Sequence, residues 1–369
     1  MAVYLFALVI MLLLPLATKN KYITIVLFGA VMWFLAAFRN LNIGMFDTTG
    51  TYFRLYNDAL ALSLSDIILD STYPETIFFE LIDKVIQFFV GTNYQAYIAV
   101  LSLFYIVCFC ASIMCFANER NWSAVQIAVA CVVYFSLIYF YSYTMLRQYA
   151  ALSVLVAFAY PCIRKRKPIA FLLSIGFASM LHSTALIFIV AYPLCVFVAY
   201  KKKHLVLILV LSALGTLAPQ LVMTALNSVP IPMLQARLGY IAHGIYEADT
   251  TGVGYGTIIF LTVLAVFYMW RKRADFDNTY SELLWLISLG IVFQGWSHVI
   301  VEFYRVAMYF IVFNAFLLPE RLQLIPKRNR SVFTLATIVV FVVYGIFVLG
   351  DNVGVIPYSF CWDTGAWSY

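Results

Sequence analysis

An all-α, polytopic integral membrane protein is the fold class that the sequence predicts, on three observations. Of 369 residues, 64% are hydrophobic and only 11% are charged, a proportion that no soluble domain can bury. Apolar runs of about 15 to 22 residues recur along the chain between short polar clusters, the length a helix needs to cross a ~30 Å hydrocarbon core. The basic residues sit in small clusters between those runs. The net charge of +6 therefore reads as membrane orientation and not as nucleic-acid binding.

The runs fall at about 2–17, 22–38, 96–117, 123–141, 146–162, 168–181, 183–200, 204–222, 254–270, 282–298, 303–319 and 332–350. The first lacks a basic n-region and a small-residue cleavage site, so it reads as a first span and not as a removed signal peptide. One further run, 76–90, carries Glu80, Asp83, Lys84 and Gln87 at i, i+3, i+4 and i+7, one polar stripe on an otherwise apolar helix. That pattern predicts an amphipathic helix at the interface or against a polar cavity, not a lipid-exposed span.

The positive-inside rule agrees. If 76–90 does not cross, one side receives 17 of the 23 basic residues and the other receives Arg39, Arg54, Lys84, Arg147, Arg237 and Arg305. If it crosses, Lys19 and Lys21 stand opposite every later basic cluster. The expectation is therefore about 12 spans plus one interfacial helix in a single integral membrane domain, 1–369, with both termini outside. The outer face would hold loops 39–95 and 223–253, a C-terminal tail 351–369, and 12 of the 17 acidic residues. No inner loop exceeds about 13 residues, which leaves no room for a nucleotide-binding domain. No internal repeat supports an inverted-repeat transporter.

Six of the seven cysteines lie in or at the ends of apolar runs, and only Cys361 lies in a polar stretch. No disulfide framework or zinc spacing exists. No metal and no cofactor are expected.

The candidate chemistry gathers on the outer side. Arg39, Arg147, Arg237 and Arg305 are isolated, unlike the inner clusters that serve orientation. Each could simply snorkel to headgroups, but guanidinium groups also bind phosphate oxygens in bidentate fashion, which points to a lipid diphosphate. The segment from Lys167 to Lys201 has basic clusters at both ends and only 33 residues between them, whereas two full spans need roughly 40. Each arm of about 14 residues rises roughly 21 Å, so "ASMLHSTAL" should place His182 at a sunken turn. A lone histidine is usually a packing residue, but at such a turn a neutral imidazole can accept a proton.

His298, Glu302, Arg305 and Tyr309 share one face if that stretch is helical. They read either as an ion-pair brace or as Arg305 oriented by Glu302 towards an anion. Tyr134, Tyr139, Tyr141, Tyr143 and Tyr149 surround Arg147 in sequence as an aromatic belt, or as platforms for sugars. Three other matches carry little. "VGYG" at 253–256 lacks a pore-helix arrangement, "DFD" at 275–277 sits in a tiny inner loop, and the sequons "NWS" and "NRS" fall on the inner side.

The stretch Arg39-x4-Gly44-x2-Asp47-x4-Tyr52 resembles the early outer-loop motif of EpsG-family proteins, a branch of Wzy-like polysaccharide polymerases. The similarity continues in "YPETIFFELIDKVI" at 73–86, "LRQYAAL" at 146–152, "ASMLHSTAL" at 178–186, "YRVAMYF" at 304–310 and "IPYSF" at 356–360. It departs at Gly44-Met45-Phe46-Asp47, where the family usually reads glycine-threonine-aspartate.

The resemblance implies a GT-C-like membrane glycosyltransferase of the bacterial inner membrane with its site facing the periplasm. It would join undecaprenyl-diphosphate-linked oligosaccharide units, both donor and acceptor, into O-antigen, capsule or exopolysaccharide. A flippase and a chain-length regulator are the protein partners this implies. In that reading Arg147, Arg305, Arg39 and Arg237 hold the diphosphate. His182 or Asp47 accepts the acceptor proton, and Glu302 orients Arg305. Tyr52, Tyr139, Tyr143, Tyr149 and Tyr309 meet the sugars. An O-antigen ligase-like transferase, a membrane O-acyltransferase and a lipid-linked glycan transporter are the alternatives. The acyltransferase needs an inner acyl-CoA entrance, and the transporter needs charges through mid-membrane. The ligase separates from the polymerase on the family resemblance alone.

Overall fold

A computed structural model describes residues 2–44, 47–69, 77–228, 255–269, 277–300, 302–349 and 354–363. Among them every regular element is helical, and extended chain pairs at the isolated bridge between Arg39 and Phe360. The order is α1 (Ala2–Thr18), α2 (Lys21–Ala37), a π-helical turn Asp47–Tyr52, α3 (Phe53–Ala61), α4 (Leu64–Leu69), α5 (Ile77–Val90), α6 (Tyr94–Glu119) and α7 (Ala124–Leu137). A 3-10 turn Tyr139–Tyr143 leads into α8 (Leu146–Val154), which runs through a π-helical stretch Leu155–Ala159 into α9 (Tyr160–Arg164). Then come α10 (Pro168–Leu181), a 3-10 segment Ser183–Val190, α11 (Ala191–Phe197), α12 (Lys202–Leu217) and α13 (Pro219–Asn227). After these follow α14 (Tyr255–Met269), α15 (Asn278–Trp296), α16 (Phe303–Ile311), α17 (Asn314–Gln323), α18 (Lys327–Val343) and a π-helical end Tyr344–Leu349.

The helix starts follow from local chemistry. Asn20 Oδ1 accepts the amides of Tyr22 and Ile23, Asn93 Oδ1 that of Ala96, and Asp277 Oδ1 that of Tyr280, so orphan donors of α2, α6 and α15 are satisfied. Pro168 and Pro219 open α10 and α13, where a missing N–H costs nothing.

The helices Tyr94–Glu119, Leu146–Arg164 and Lys327–Ile346 are long and apolar enough to cross a membrane unaided. Large apolar side chains stand exposed along them and on shorter helices, Phe6, Phe88, Ile169, Phe197 and Leu217 among them, as expected where the solvent is lipid. The protein is an all-helical membrane protein. Several expected spans are shorter apolar helices, among them Lys21–Ala37, Ala124–Leu137 and Tyr255–Met269. Two of the expected runs are broken. The run 204–222 bends by 99° between α12 and α13, because Ala218 leaves the helical region and Pro219 starts a new helix. The run 303–319 divides at Val312 and Phe313 between α16 and α17.

The chain forms two compact units, Met1–Ile189 with Asn314–Tyr369, and Val190–Phe313. In the first, α7 is the central element: of its residues all but Val125 are buried, against α1, α2, α17 and α18. The C-terminal segment packs on the end of α2. Asn40 N donates to Ser359 O at 2.9 Å, Cys361 N to Phe38 O at 2.9 Å and Gly44 N to Gly354 O at 3.1 Å. Two motif-bearing stretches far apart in sequence are thereby paired. Gly44 is needed there: its φ is +102°, and an added Cβ would lie 2.9 Å from Tyr143 Cβ.

In the second unit α15 is the buried centre, packed by α11, α12, α14 and α16. Gly295 meets Ser212 closely enough that a Cβ would lie 2.5 Å from the Ser212 carbonyl oxygen.

Candidate functional site

Helix α5 decides how the polar stripe of 76–90 is used. Phe79, Asp83, Ile86 and Gln87 are buried, while Val85, Phe88 and Phe89 are exposed. Asp83 and Gln87 thus point into the first unit, against α3 and α6. Gln87 Nε2 donates to Tyr56 O at 2.6 Å. Asp83 is 1% exposed, and its Oδ1 accepts the Tyr97 hydroxyl at 2.6 Å.

Burial pushes the Asp83 carboxyl up to about 7, and the negative field of Glu80 adds to the rise. The Tyr97 hydrogen bond and the positive field of Arg147 pull the other way. Asp83 is a carboxyl poised near neutrality.

Arg147 stands on the same side of α5. It is half-buried in the first turn of α8, with its guanidinium carbon 5.9 Å from the Phe79 ring. Phe79 lies one helical turn before Asp83. Arg147 Nε donates to Leu181 O at 3.4 Å, a long contact that brings the cation to the last residue of α10. The next residue is His182. There the α-helix stops, His182 adopts an extended conformation, and a 3-10 segment begins. The helix thus ends where the sequence predicts a sunken turn at His182. The imidazole is half-buried, with Nδ1 2.7 Å from Thr184 Oγ1. Half-buried Tyr52 reaches the same group of helices, its ring 6.4 Å from Phe79. Arg147, His182, Phe79, Asp83 and Tyr52 are therefore assembled in one unit from four stretches distant in sequence.

Arg39 is fully buried. Its Nη1 donates to Ala36 O at 2.7 Å and its Nη2 to Tyr143 O at 3.3 Å, with the guanidinium 4.4 Å above the Tyr143 ring. It ties the end of α2 to the turn before α8. The tyrosines are mostly interior as well. Tyr139 hydroxyl donates to Met32 O at 2.6 Å and lies 2.9 Å from the Tyr143 hydroxyl, while Tyr149 hydroxyl donates to Tyr134 at 2.7 Å. Tyr309 is 0% exposed. Arg237 lies outside the described residues, as does the side chain of Asp47.

In the second unit His298, Glu302 and Arg305 are half-buried. The single helical face expected of them is interrupted. The helix α15 ends at Trp296, a turn carries His298, and α16 begins only at Phe303. His298 packs against Tyr255 in a tilted arrangement with ring centroids 4.4 Å apart. Among the described residues, His298 Nε2 and Glu302 Oε2 are buried without a hydrogen-bond partner, and Arg305 Nε donates to the Tyr304 hydroxyl at 3.3 Å.

The sequence shows the stripe that contains Asp83 but gives Asp83 no part among the predicted site residues. The signal was present: a carboxylate is costly inside an apolar helix unless something inward needs it. Among the described residues no group of three or more His, Cys, Asp or Glu could hold a metal ion.

Comparison with known proteins matches the EpsG family over residues 22–360. No curated protein and no solved structure matches the chain.

Proposed function

The chain belongs to the EpsG family, and on that premise we propose that it polymerises undecaprenyl-diphosphate-linked oligosaccharide units into O-antigen, capsule or exopolysaccharide. In this reading it is a GT-C-like glycosyltransferase of about 12 spans, with its site on the periplasmic face of a bacterial inner membrane. The observation that carries the reading is the junction of α8 and α10. Arg147 Nε bonds the carbonyl of Leu181 and so holds a cation beside His182.

The step transfers one glycosyl group. A hydroxyl of the acceptor repeat unit attacks the anomeric carbon of the growing chain. A new C–O bond forms, the bond from that carbon to the diphosphate breaks, and its electron pair leaves on undecaprenyl diphosphate. His182 takes the hydroxyl proton, its ring held by Thr184. Arg147 faces the negative charge that builds on the departing phosphate, a preorganised cation in a partly dry site. Asp83 is a positioning residue: by anchoring α5 to Tyr97 it sets Phe79 beneath Arg147.

In the second unit Arg305 keeps its proposed role as a diphosphate ligand on sequence position, with Glu302 orienting it. The open Oε2 of Glu302 and Nε2 of His298 favour a polar ligand there. Tyr52 is the sugar platform that burial favours, since Tyr139, Tyr143, Tyr149 and Tyr309 are enclosed. Arg39 braces the scaffold in this account. Arg237 and Asp47 belong to the proposed ligand set on sequence position alone. A flippase supplies the lipid-linked units and a chain-length regulator sets the product size.

A deletion strain tests the reading through the surface glycan on a gel. Collapse of the ladder to one repeat is expected. Complete loss of attached glycan would mean a ligase, and unchanged length with lost acetyl groups an acyltransferase.

A further inference from the structure

A groove of about 520 Å³ runs along the first unit between α6 and the α8–α9 helix. One end is apolar, lined by Val107, Ala111, Val156 and Phe158, and the other end reaches Glu119, Arg164 and Lys165. Val107 and Phe158 are each 54% exposed, so the apolar end opens sideways to the surface. Arg164 pairs with Glu119, lies 4.9 Å over the Phe116 ring, and keeps a buried Nε without a partner.

Arg164 is the first of four consecutive cations, Arg164-Lys165-Arg166-Lys167, and the last three are exposed. The turn holding them is closed: Arg166 has φ +52°, and Lys167 N donates back to Cys162 O at 2.9 Å. Among the described residues, Glu119 is the sole carboxylate lining the groove. Its pairing with Arg164 leaves the rim cationic.

An apolar channel with a cationic mouth combines the two chemistries of one ligand class. We propose that this groove binds an anionic phospholipid, with an acyl chain along Val107 and Phe158 and the phosphate at the Arg164–Lys167 turn. Charge complementarity selects this occupant. A second copy of the chain docking isologously would bring the same four cations face to face. A zwitterionic lipid fills the channel but leaves the rim unneutralised. The turn also belongs to the basic clusters that the positive-inside rule assigns to the inner leaflet, where anionic headgroups attract such clusters. The site is independent of the polymerase reading, because none of the residues assigned to glycosyl transfer lines the groove.

Native mass spectrometry of the purified protein tests it, with phosphatidylglycerol and phosphatidylcholine of matched acyl chains as probes. The wild type should retain phosphatidylglycerol in preference. Lys165→Gln with Lys167→Gln, both on the exposed turn, should weaken phosphatidylglycerol by roughly fivefold per cation, the factor that about 1 kcal/mol per surface charge represents. Ala111→Trp, which fills the channel from the exposed side of α6, should lower retention of both lipids. Equal retention of the two lipids by the wild type overturns the proposal. So does an intact preference in the double variant, or unchanged retention in Ala111→Trp.

Discussion

The Tyr97 hydroxyl donates to Asp83 Oδ1 at 2.6 Å, and this buried bond fastens the amphipathic helix α5 to the long helix α6. It explains why α5 can carry a carboxylate inward while Phe88 and Phe89 face out. The acid is tolerated because at neutral pH much of it is uncharged, with its carboxyl pushed up to about 7.

The burial of Asp83 makes stability depend on pH, with the Tyr97 bond opposing the shift in part. Below the ordinary value of 3.8 the folded and unfolded states are both protonated, and the contribution of Asp83 is intact. As pH rises from 3.8 to about 7 the unfolded chain ionises while the folded one holds its proton. Stability then falls by up to about 1.4 kcal/mol per pH unit, and it levels off once both states are ionised. Thermal unfolding of the purified protein at several pH values should show this slope, with Asp83→Asn flattening it. Parallel profiles for the two proteins would remove Asp83 as the titrating group.

Much of this arrangement was legible from local pattern. The stripe at 76–90 predicted an amphipathic helix, and one forms there with Asp83 and Gln87 buried; the helix end at Leu181 falls where the short arms predicted a sunken turn at His182. What escaped were properties set by distant partners. Arg39 looks like an exposed ligand in sequence because one of the two carbonyls that hold it, and the ring beneath it, belong to Tyr143, 104 residues away. Tyr139 likewise looks available until Met32 O, 107 residues away, takes its hydroxyl. The division of 303–319 was hidden because Val312 and Phe313 are as apolar as their neighbours.

Arg39 should therefore act on folding more than on turnover. Arg39→Met removes the donors to Ala36 O and Tyr143 O, and losing each such hydrogen bond, made by a charged group, costs about 1.5–3 kcal/mol. Lower midpoints of thermal unfolding and reduced membrane levels are expected, with near-normal polymer per molecule of folded protein. A stable variant that makes no polymer would move Arg39 into the ligand site.

Gly44 offers a sharper test of the pairing between the Arg39 stretch and the C-terminal segment. Gly44→Ala places a methyl 2.9 Å from Tyr143 Cβ at a φ of +102°, a strained backbone costing about 1–3 kcal/mol. Limited proteolysis should then cut near residues 354–363 faster than in the wild type. Unchanged cleavage would mean that the pairing does not depend on that glycine.

Arg147 should affect chemistry without unfolding the protein, since it is half-buried at the start of a helix. Arg147→Ala should reduce polymer synthesis by about a hundredfold to a thousandfold, the usual cost of losing one preorganised charge stabiliser. Arg147→Lys should recover a small part, because an ammonium keeps the charge but loses the bidentate fork. Equal activity in the wild type and Arg147→Ala, measured by incorporated sugar, would strike Arg147 from the mechanism.

The most direct test of the central claim is reconstitution of the purified protein in vesicles with an undecaprenyl-diphosphate-linked repeat unit. Chains of many repeats are expected, with one undecaprenyl diphosphate released for each linkage, and both products should be lost in His182→Ala. Failure of the wild type to lengthen the glycan, or lengthening without release of the diphosphate lipid, would contradict that claim.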